Sequence, residues 1–112
     1  MSLFSIKYAT IYYDDVDDRS VKSDKDRNVI VEAPDIMFAQ KIGKCINGIE
    51  ICAREYIEVI EVRPCENGVA DMAEVRYLIN KWGASPTNYP QAYESLKSKI
   101  TSIDPLLVPI LL

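Results

Sequence analysis

The sequence predicts an α+β domain with a small, mainly antiparallel sheet packed on helices. Two hydrophobic periods support this prediction. Residues 3–13 are rich in β-branched and aromatic residues, which fall on the two alternating faces of a strand, whereas apolar residues recur every three or four positions through residues 34–46 and 69–83. The predicted element order is β-β-α-β-α-α, in which the strands come mainly before the helices, as in α+β folds.

One domain is expected for the whole chain, residues 1–112. Hydrophobic residues make up 48% of it and charged residues 27%, which is ordinary for a globular domain of this length. Residues 1–65 form a predicted ββαβ core, and residues 66–112 form a helical C-terminal part that ends in an apolar tail.

Three segments are predicted strands. In residues 3–13, Phe4, Ile6 and Tyr8 fall on one face together with Thr10 and Tyr12. Residues 28–33 pair with this strand in a hairpin that has a long polar tip. Residues 56–65 carry apolar groups on both faces, which predicts the central strand of the sheet.

Three segments are predicted helices. The first covers residues 34–46, where Pro34 and Asp35 suit a helix start. Asn47-Gly48 is interpreted as the stop of this helix, with a hairpin turn as the alternative. The second helix covers residues 69–83, with Trp82 on its apolar stripe, and the third covers residues 91–103.

The C-terminal segment is strongly apolar and contains Pro105 and Pro109. Because proline is unfavourable in a regular helix and in a central strand, an extended strap or an edge strand is predicted. This segment either closes over its own core or enters a partner. The candidate contacts with a partner are Leu106, Leu107, Ile110 and Leu111.

Composition argues against several kinds of chemistry. The chain has no His, so the Ser-His and Cys-His pairs that activate nucleophiles are excluded. No metal site and no cofactor are expected. The net charge of −4 and the scattered basic residues argue against direct DNA binding. Three cysteines at irregular spacing and the lack of a long apolar run predict a cytoplasmic protein without membrane association.

The charged segment from Tyr12 to Asn28 contains Asp14, Asp15, Asp17 and Asp18. A calcium loop of the EF-hand type fails here, because Val29 stands where the frame that begins at Asp24 requires Gly. We therefore interpret the segment as a solvated, mobile hairpin tip. The alternative is a partner-binding loop, in which the four aspartates would face a basic surface.

The favoured hypothesis is a small, non-enzymatic protein-interaction module that acts as a homodimer. Its docking surfaces would be the acidic loop, the apolar tail, and a tyrosine-rich sheet face that contains Tyr8, Tyr12 and Tyr13, because tyrosine is enriched at interfaces. In style, the composition is similar to that of small inhibitors and adaptors, including virus-encoded ones, although no matched residues support this comparison.

Two further hypotheses stay open. The first is a small-ligand or nucleotide binder, with a Tyr- and Arg-lined pocket at a subunit interface; Arg54, Arg63 and Arg76 would contact an anion. The second is a metal-dependent nuclease that uses strand carboxylates such as Glu58 and Glu61. Strand periodicity places these two carboxylates on opposite faces, which weakens the nuclease hypothesis.

Overall fold

A computed structural model describes residues 1–23 and 25–112. The strands are β1 (Ser2–Asp14), β2 (Arg19–Lys22), β3 (Arg27–Ala33), β4 (Glu50–Cys52) and β5 (Glu55–Cys65). The helices are α1 (Ile36–Ile46), α2 (Met72–Ile79), α3 (Pro90–Ile103) and α4 (Val108–Leu111), and a 3-10 turn (Pro105–Leu107) precedes α4. The predicted α+β class with an antiparallel sheet is confirmed, and the order of elements agrees apart from the short additions β2, β4 and the C-terminal turns.

Strand β1 is the centre of the sheet. Both β2 and β3 pair with one of its edges, with Tyr12 opposite Val21 and Phe4 opposite Val31, while β5 pairs with the other edge. Strand β5 lies between β1 and the three-residue β4, which pairs with it at the end that contains Glu55. Residues 56–65 therefore form an interior strand, in agreement with the prediction of a central strand, although β1 is the more extensively paired of the two.

A β-bulge in β5 interrupts the regular alternation of faces along the strand. Lys7 lies opposite Glu61 and Tyr8 lies opposite Val59, so Ile60 is an extra residue. The extra residue restarts the alternation of faces. Glu58 and Glu61 therefore lie opposite Ala9 and Lys7, on the same face, and the prediction of opposite faces is wrong.

The helices cover one face of the sheet, and the core lies between them. Phe4, Ile6 and Tyr8 of β1 are buried on this face, as their predicted alternation requires. One continuous hydrophobic cluster joins them to Ile42 of α1 and Ile100 of α3.

The opposite face, which we name the open face, carries a row of alternating charges. The Lys22 ammonium is 3.1 Å from the Asp26 carboxylate, and Asp26 is 3.9 Å from Lys7. Lys7 lies 3.8 Å from Glu61, which in turn is 3.0 Å from Arg63. All five side chains are partly exposed, so this row keeps the open face polar and contributes little stability.

Helix α1 ends where the sequence predicted, at Asn47-Gly48. At its start, Asp35 accepts a 2.8 Å hydrogen bond from the Phe38 amide. At its end, Gly48 has φ +82°, a conformation that favours glycine. The Asn47 side chain accepts a 2.9 Å hydrogen bond from the Val59 amide, which fastens the helix end to β5.

Helix α2 is shorter than predicted. It ends at Ile79, because the Asn80 side-chain amide accepts from the Ala84 amide (2.8 Å) and donates to the Ala84 carbonyl (2.9 Å). The chain turns within this pair of hydrogen bonds, where Gly83 has φ +63°. Trp82 lies outside the helix and is 76% exposed, so its placement on the apolar stripe is wrong.

The C-terminal segment is helical, so the predicted extended strap is wrong. Pro105 and Pro109 lie in the first turns of the 3-10 turn and of α4, where a missing amide proton costs little. Asp104 caps the 3-10 turn through a 3.0 Å hydrogen bond from the Leu106 amide. Its carboxylate also lies 3.0 Å from the Lys41 ammonium, which ties the segment to α1.

Most of the C-terminal segment packs on its own chain. Leu107 and Leu111 are buried in the core, and Ile110 is half-buried against it, whereas Leu106 is 70% exposed. Among the described residues, no helix has both the length and the apolar character needed to traverse a lipid bilayer.

Adjacent leucines in this segment allow a matched stability test. We expect Leu107→Ala to lower the free energy of unfolding by about 2–5 kcal/mol, because it leaves a cavity in the core. Leu106→Ala is expected to change it by less than about 0.5 kcal/mol. Urea denaturation followed by circular dichroism measures both. Equal losses would contradict the packing described for this segment.

Candidate ligand-binding cleft

A cavity of about 360 Å³ opens between the helix-covered face of the sheet and α2. We name it the α2 cleft. Tyr8, Thr10 and Ile57 form its floor. On its α2 side lie Tyr77 and Leu78, which are adjacent in the helix. The volume lies in the range of cavities that hold small ligands or inserted side chains.

The walls of the α2 cleft are apolar close to the floor and charged towards solvent. Ile49 and Ile51, on either side of Glu50 in β4, provide apolar wall together with Leu78. Six charged side chains also line the cleft: Lys25, Arg27 and Lys81, and Glu50, Glu55 and Glu74. None of the six lies within 4.0 Å of an opposite charge on a described residue. Their charges are therefore available to a bound group.

Tyr8 is the most deeply placed polar residue of the cleft. It is only 4% exposed, yet it lines the cavity. Burial raises the pKa of its phenol, the nearby Glu74 carboxylate raises it further, and Arg27 opposes this change. At neutral pH Tyr8 is thus a neutral hydroxyl that is able to donate a hydrogen bond to a ligand.

A second cavity of about 330 Å³ adjoins the α2 cleft and shares Ile49, Glu50, Leu78 and Lys81 with it. Its outer wall is Trp82, and its far side is formed by α3. The Lys81 ammonium lies 5.7 Å from the centre of the Trp82 ring, within the range of a cation–π contact. The two cavities and the exposed aromatic residues beside them form a continuous groove.

Cys45 and Cys52 are unsuited to thiolate chemistry. Burial raises the pKa of Cys45 to about 11. The Cys52 thiol donates a 2.8 Å hydrogen bond to Glu55 at the edge of the α2 cleft, and this bond raises its pKa. Both thiols are therefore protonated at neutral pH and are poor nucleophiles.

The three tyrosines of the predicted sheet surface do not form one patch. Tyr8 faces the core, Tyr12 lies on the same face but beyond the helices and is exposed, and Tyr13 points to the open face. Sequence periodicity placed Tyr8 and Tyr12 on one face correctly, but it gave no information on how far the helices extend over that face.

The charged segment contains more strand than predicted. Nine of its sixteen described residues belong to β1, β2 and β3, and residues 15–18 form the turn between β1 and β2. Within this tip, Asp15 pairs with Arg54, and Asp17 lies 3.5 Å from Arg19. Asp24 lies outside the described residues. The proposal that Asp14, Asp15, Asp17 and Asp18 face a basic partner stays a prediction.

The arginines proposed as ligand contacts lie apart from the α2 cleft. Arg54 is in the turn between β4 and β5, and Arg63 pairs with Glu61 on the open face. Arg76, on α2, donates a 3.5 Å hydrogen bond to the Ile110 carbonyl. The structure instead places Arg27 in the cleft, a residue that the sequence showed only as one member of a mixed-charge run.

The carboxylates of the nuclease hypothesis share the open face, where Glu61 pairs with both Lys7 and Arg63. In the described part of the chain, no group of three or more Cys, Asp or Glu side chains is arranged to hold a metal ion. Their shared face removes the objection that the sequence raised against the nuclease hypothesis, but no metal-holding group among the described residues supports it.

The raised pKa of Tyr8 gives a test of the cleft geometry. We expect Glu74→Gln to lower the Tyr8 pKa towards its ordinary value of 10.0, because a nearby negative charge disfavours the phenolate. The control Glu94→Gln on α3 should leave it unchanged. Ring-carbon NMR shifts against pH measure both values.

The same shift predicts how stability depends on pH. The folded-state pKa of Tyr8 lies above its unfolded value, so this residue favours the folded state up to about pH 10 and loses that contribution as pH rises further.

A Tyr8 pKa that is the same in Glu74→Gln and in the unchanged protein would contradict the placement of Glu74.

The chain matches no family model, no curated protein and no solved structure, so its function is argued from its own residues.

Proposed function

We propose that this chain is a protein-binding module that holds a peptide segment of its partner in the α2 cleft and the adjoining cavity. The observation that supports this most is the exposure of two large aromatic residues beside apolar cavities. Tyr77 is 57% exposed and Trp82 is 76% exposed. Tyr and Trp are the residue types that contribute most to binding energy in protein interfaces.

The physical basis of this proposal is the small loss of conformational entropy when a partner covers rigid aromatic side chains. Such a side chain also offers a large apolar area. The cavities beneath Tyr77 and Trp82 supply the concave surface into which a partner side chain would fit. The open face, by contrast, carries the row of paired charges.

A small-ligand or nucleotide binder is the alternative function. The observation that favours it is the volume of the α2 cleft, together with Lys25 and Arg27 at its edge and Tyr77 beside its floor. This cleft lies within one chain, so no subunit interface would be required. A rise in melting temperature with nucleotides, absent with peptides, would favour this alternative.

Two equally exposed tyrosines provide the test of the proposed function. Peptides selected from a random displayed library for binding to the folded protein are expected to bind at the α2 cleft. Tyr77→Ala should weaken their binding at least about tenfold, because it removes an anchor from the groove. Tyr89→Ala is the matched control, since Tyr89 is also 57% exposed but lines neither cavity. Fluorescence titration with labelled peptides measures both.

The proposed function fails if the selected peptides bind equally well to both variants, or if their NMR chemical-shift changes map to the open face. Thermal melting of both variants controls for folding, and little change is expected because both side chains are largely outside the core.

We also propose that the chain forms a homodimer, because twofold dimers are the commonest soluble oligomers. Light scattering is expected to give about twice the chain mass of 12.7 kDa, and Trp82→Ala is expected to return it towards one chain mass. A dimer that survives Trp82→Ala but dissociates in Leu106→Ala would move the interface to the C-terminal segment. A single-chain mass at all concentrations would contradict the homodimer.

A further inference from the structure

The six charged side chains of the α2 cleft, none of which forms an ion pair with another described residue, are not distributed evenly. At the β3 end, Lys25 and Arg27 face a single carboxylate, that of Glu74. This end therefore carries a net positive charge of one.

The opposite end of the cleft has the opposite sign. Near β4 and the start of β5, Glu50 and Glu55 face a single ammonium, that of Lys81. Lys81 donates a 3.0 Å hydrogen bond to the Ile51 carbonyl and forms no ion pair within 4.0 Å with a described carboxylate. This end carries a net negative charge of one, so the cleft is electrically polar along its length.

The geometry of the sheet gives the distance between the positive and the negative end of the cleft. Arg27 lies opposite Tyr8, which lies opposite Val59, and Glu55 is four residues from Val59 along β5. The Cα atoms of Arg27 and Glu55 are offset by two strand spacings of about 4.8 Å each across the sheet and by four residues of about 3.3 Å each along the strands. Because these two directions are perpendicular, the Cα atoms are about 16 Å apart. A ligand that meets both ends must carry opposite charges on the order of 10–15 Å apart, which is too far for a free amino acid.

An extended peptide has the required dimensions. Residues i and i+4 of an extended chain are about 13.6 Å apart, and residues i, i+2 and i+4 point to the same side. The residue at i+2 would lie over the apolar middle of the cleft, where Ile49, Ile57 and Leu78 are exposed to the cavity.

We propose that the α2 cleft binds an extended peptide segment with an acidic residue at one position, an apolar residue two positions away and a basic residue four positions away. The acidic residue meets Lys25 and Arg27, and the basic residue meets Glu50 and Glu55. This proposal rests on the proposed protein-binding function and defines the chemistry of the partner segment.

The test uses three blocked pentapeptides and the full chain at low salt. Acetyl-Glu-Ser-Leu-Ser-Lys-amide carries both charges, and its two controls carry Glu at both ends or Lys at both ends. Because both ends of the cleft must be matched, we expect the mixed peptide to bind at least about tenfold more tightly than either control. Chemical-shift titration of the labelled protein measures the three affinities.

Charge reversal on the protein makes the test specific. Arg27→Glu is expected to transfer the preference to the Lys/Lys peptide, because both ends of the cleft are then negative. Glu58→Lys on the open face is the matched control and should leave the order of the three affinities unchanged. Arg27 is exposed, so folding is expected to persist; Arg27→Gln, which should only reduce the preference for the mixed peptide, checks this independently.

Equal binding of the three peptides, no measurable binding of any of them, or an unchanged preference in Arg27→Glu would overturn the inference. The proposed function would still stand if library-selected peptides remained sensitive to Tyr77→Ala. If the library-selected peptides bound equally well to the unchanged protein and to Tyr77→Ala, both proposals would fail. A preference for the mixed peptide that changes equally in Glu58→Lys would also overturn the inference, because it would show a long-range charge effect and no bound geometry.

Discussion

The backbone amide and carbonyl groups of strand β1 need hydrogen-bonding partners along both edges of the strand. Most of the molecule is arranged around this constraint. One edge is paired by β2 and β3 in succession and the other by β5, so β1 cannot shift in register without breaking three pairings. A shift by one residue would also move Phe4 and Ile6 from the core to the open face. Register, burial and face are thus fixed together.

The same register gives the two faces of the sheet different properties. On one face, helices α1 to α4 bury a continuous apolar core. On the other, Lys7 occupies the middle of a row of alternating charges. Surface ion pairs of this kind are weak, and their main consequence here is that the open face stays hydrated.

The α2 cleft exists because the helices do not cover the whole of that side. Helix α2 ends at Ile79, where Asn80 bonds to Ala84, and this early end leaves Lys81 and Trp82 exposed beside β4. Tyr8 remains under the open part of the cleft as a buried neutral phenol. Local hydrogen bonding by one side chain thus shapes the surface through which we propose that the protein binds its partner.

Features that depend on local period and local capping could be predicted from the sequence. The faces of β1, the α+β class, and the extent of α1 between Asp35 and Asn47 follow from alternation, from a 3.6-residue period and from caps whose partners are three or four residues away. The three-dimensional structure was needed to show the bulge at Ile60, which changed the face of every later residue in β5, and the helical packing of the C-terminal segment. It alone also brought Arg27, Glu55 and Tyr77 to one cleft, because contacts between residues far apart in the chain depend on strand register and helix length, and neither leaves a pattern in neighbouring residues.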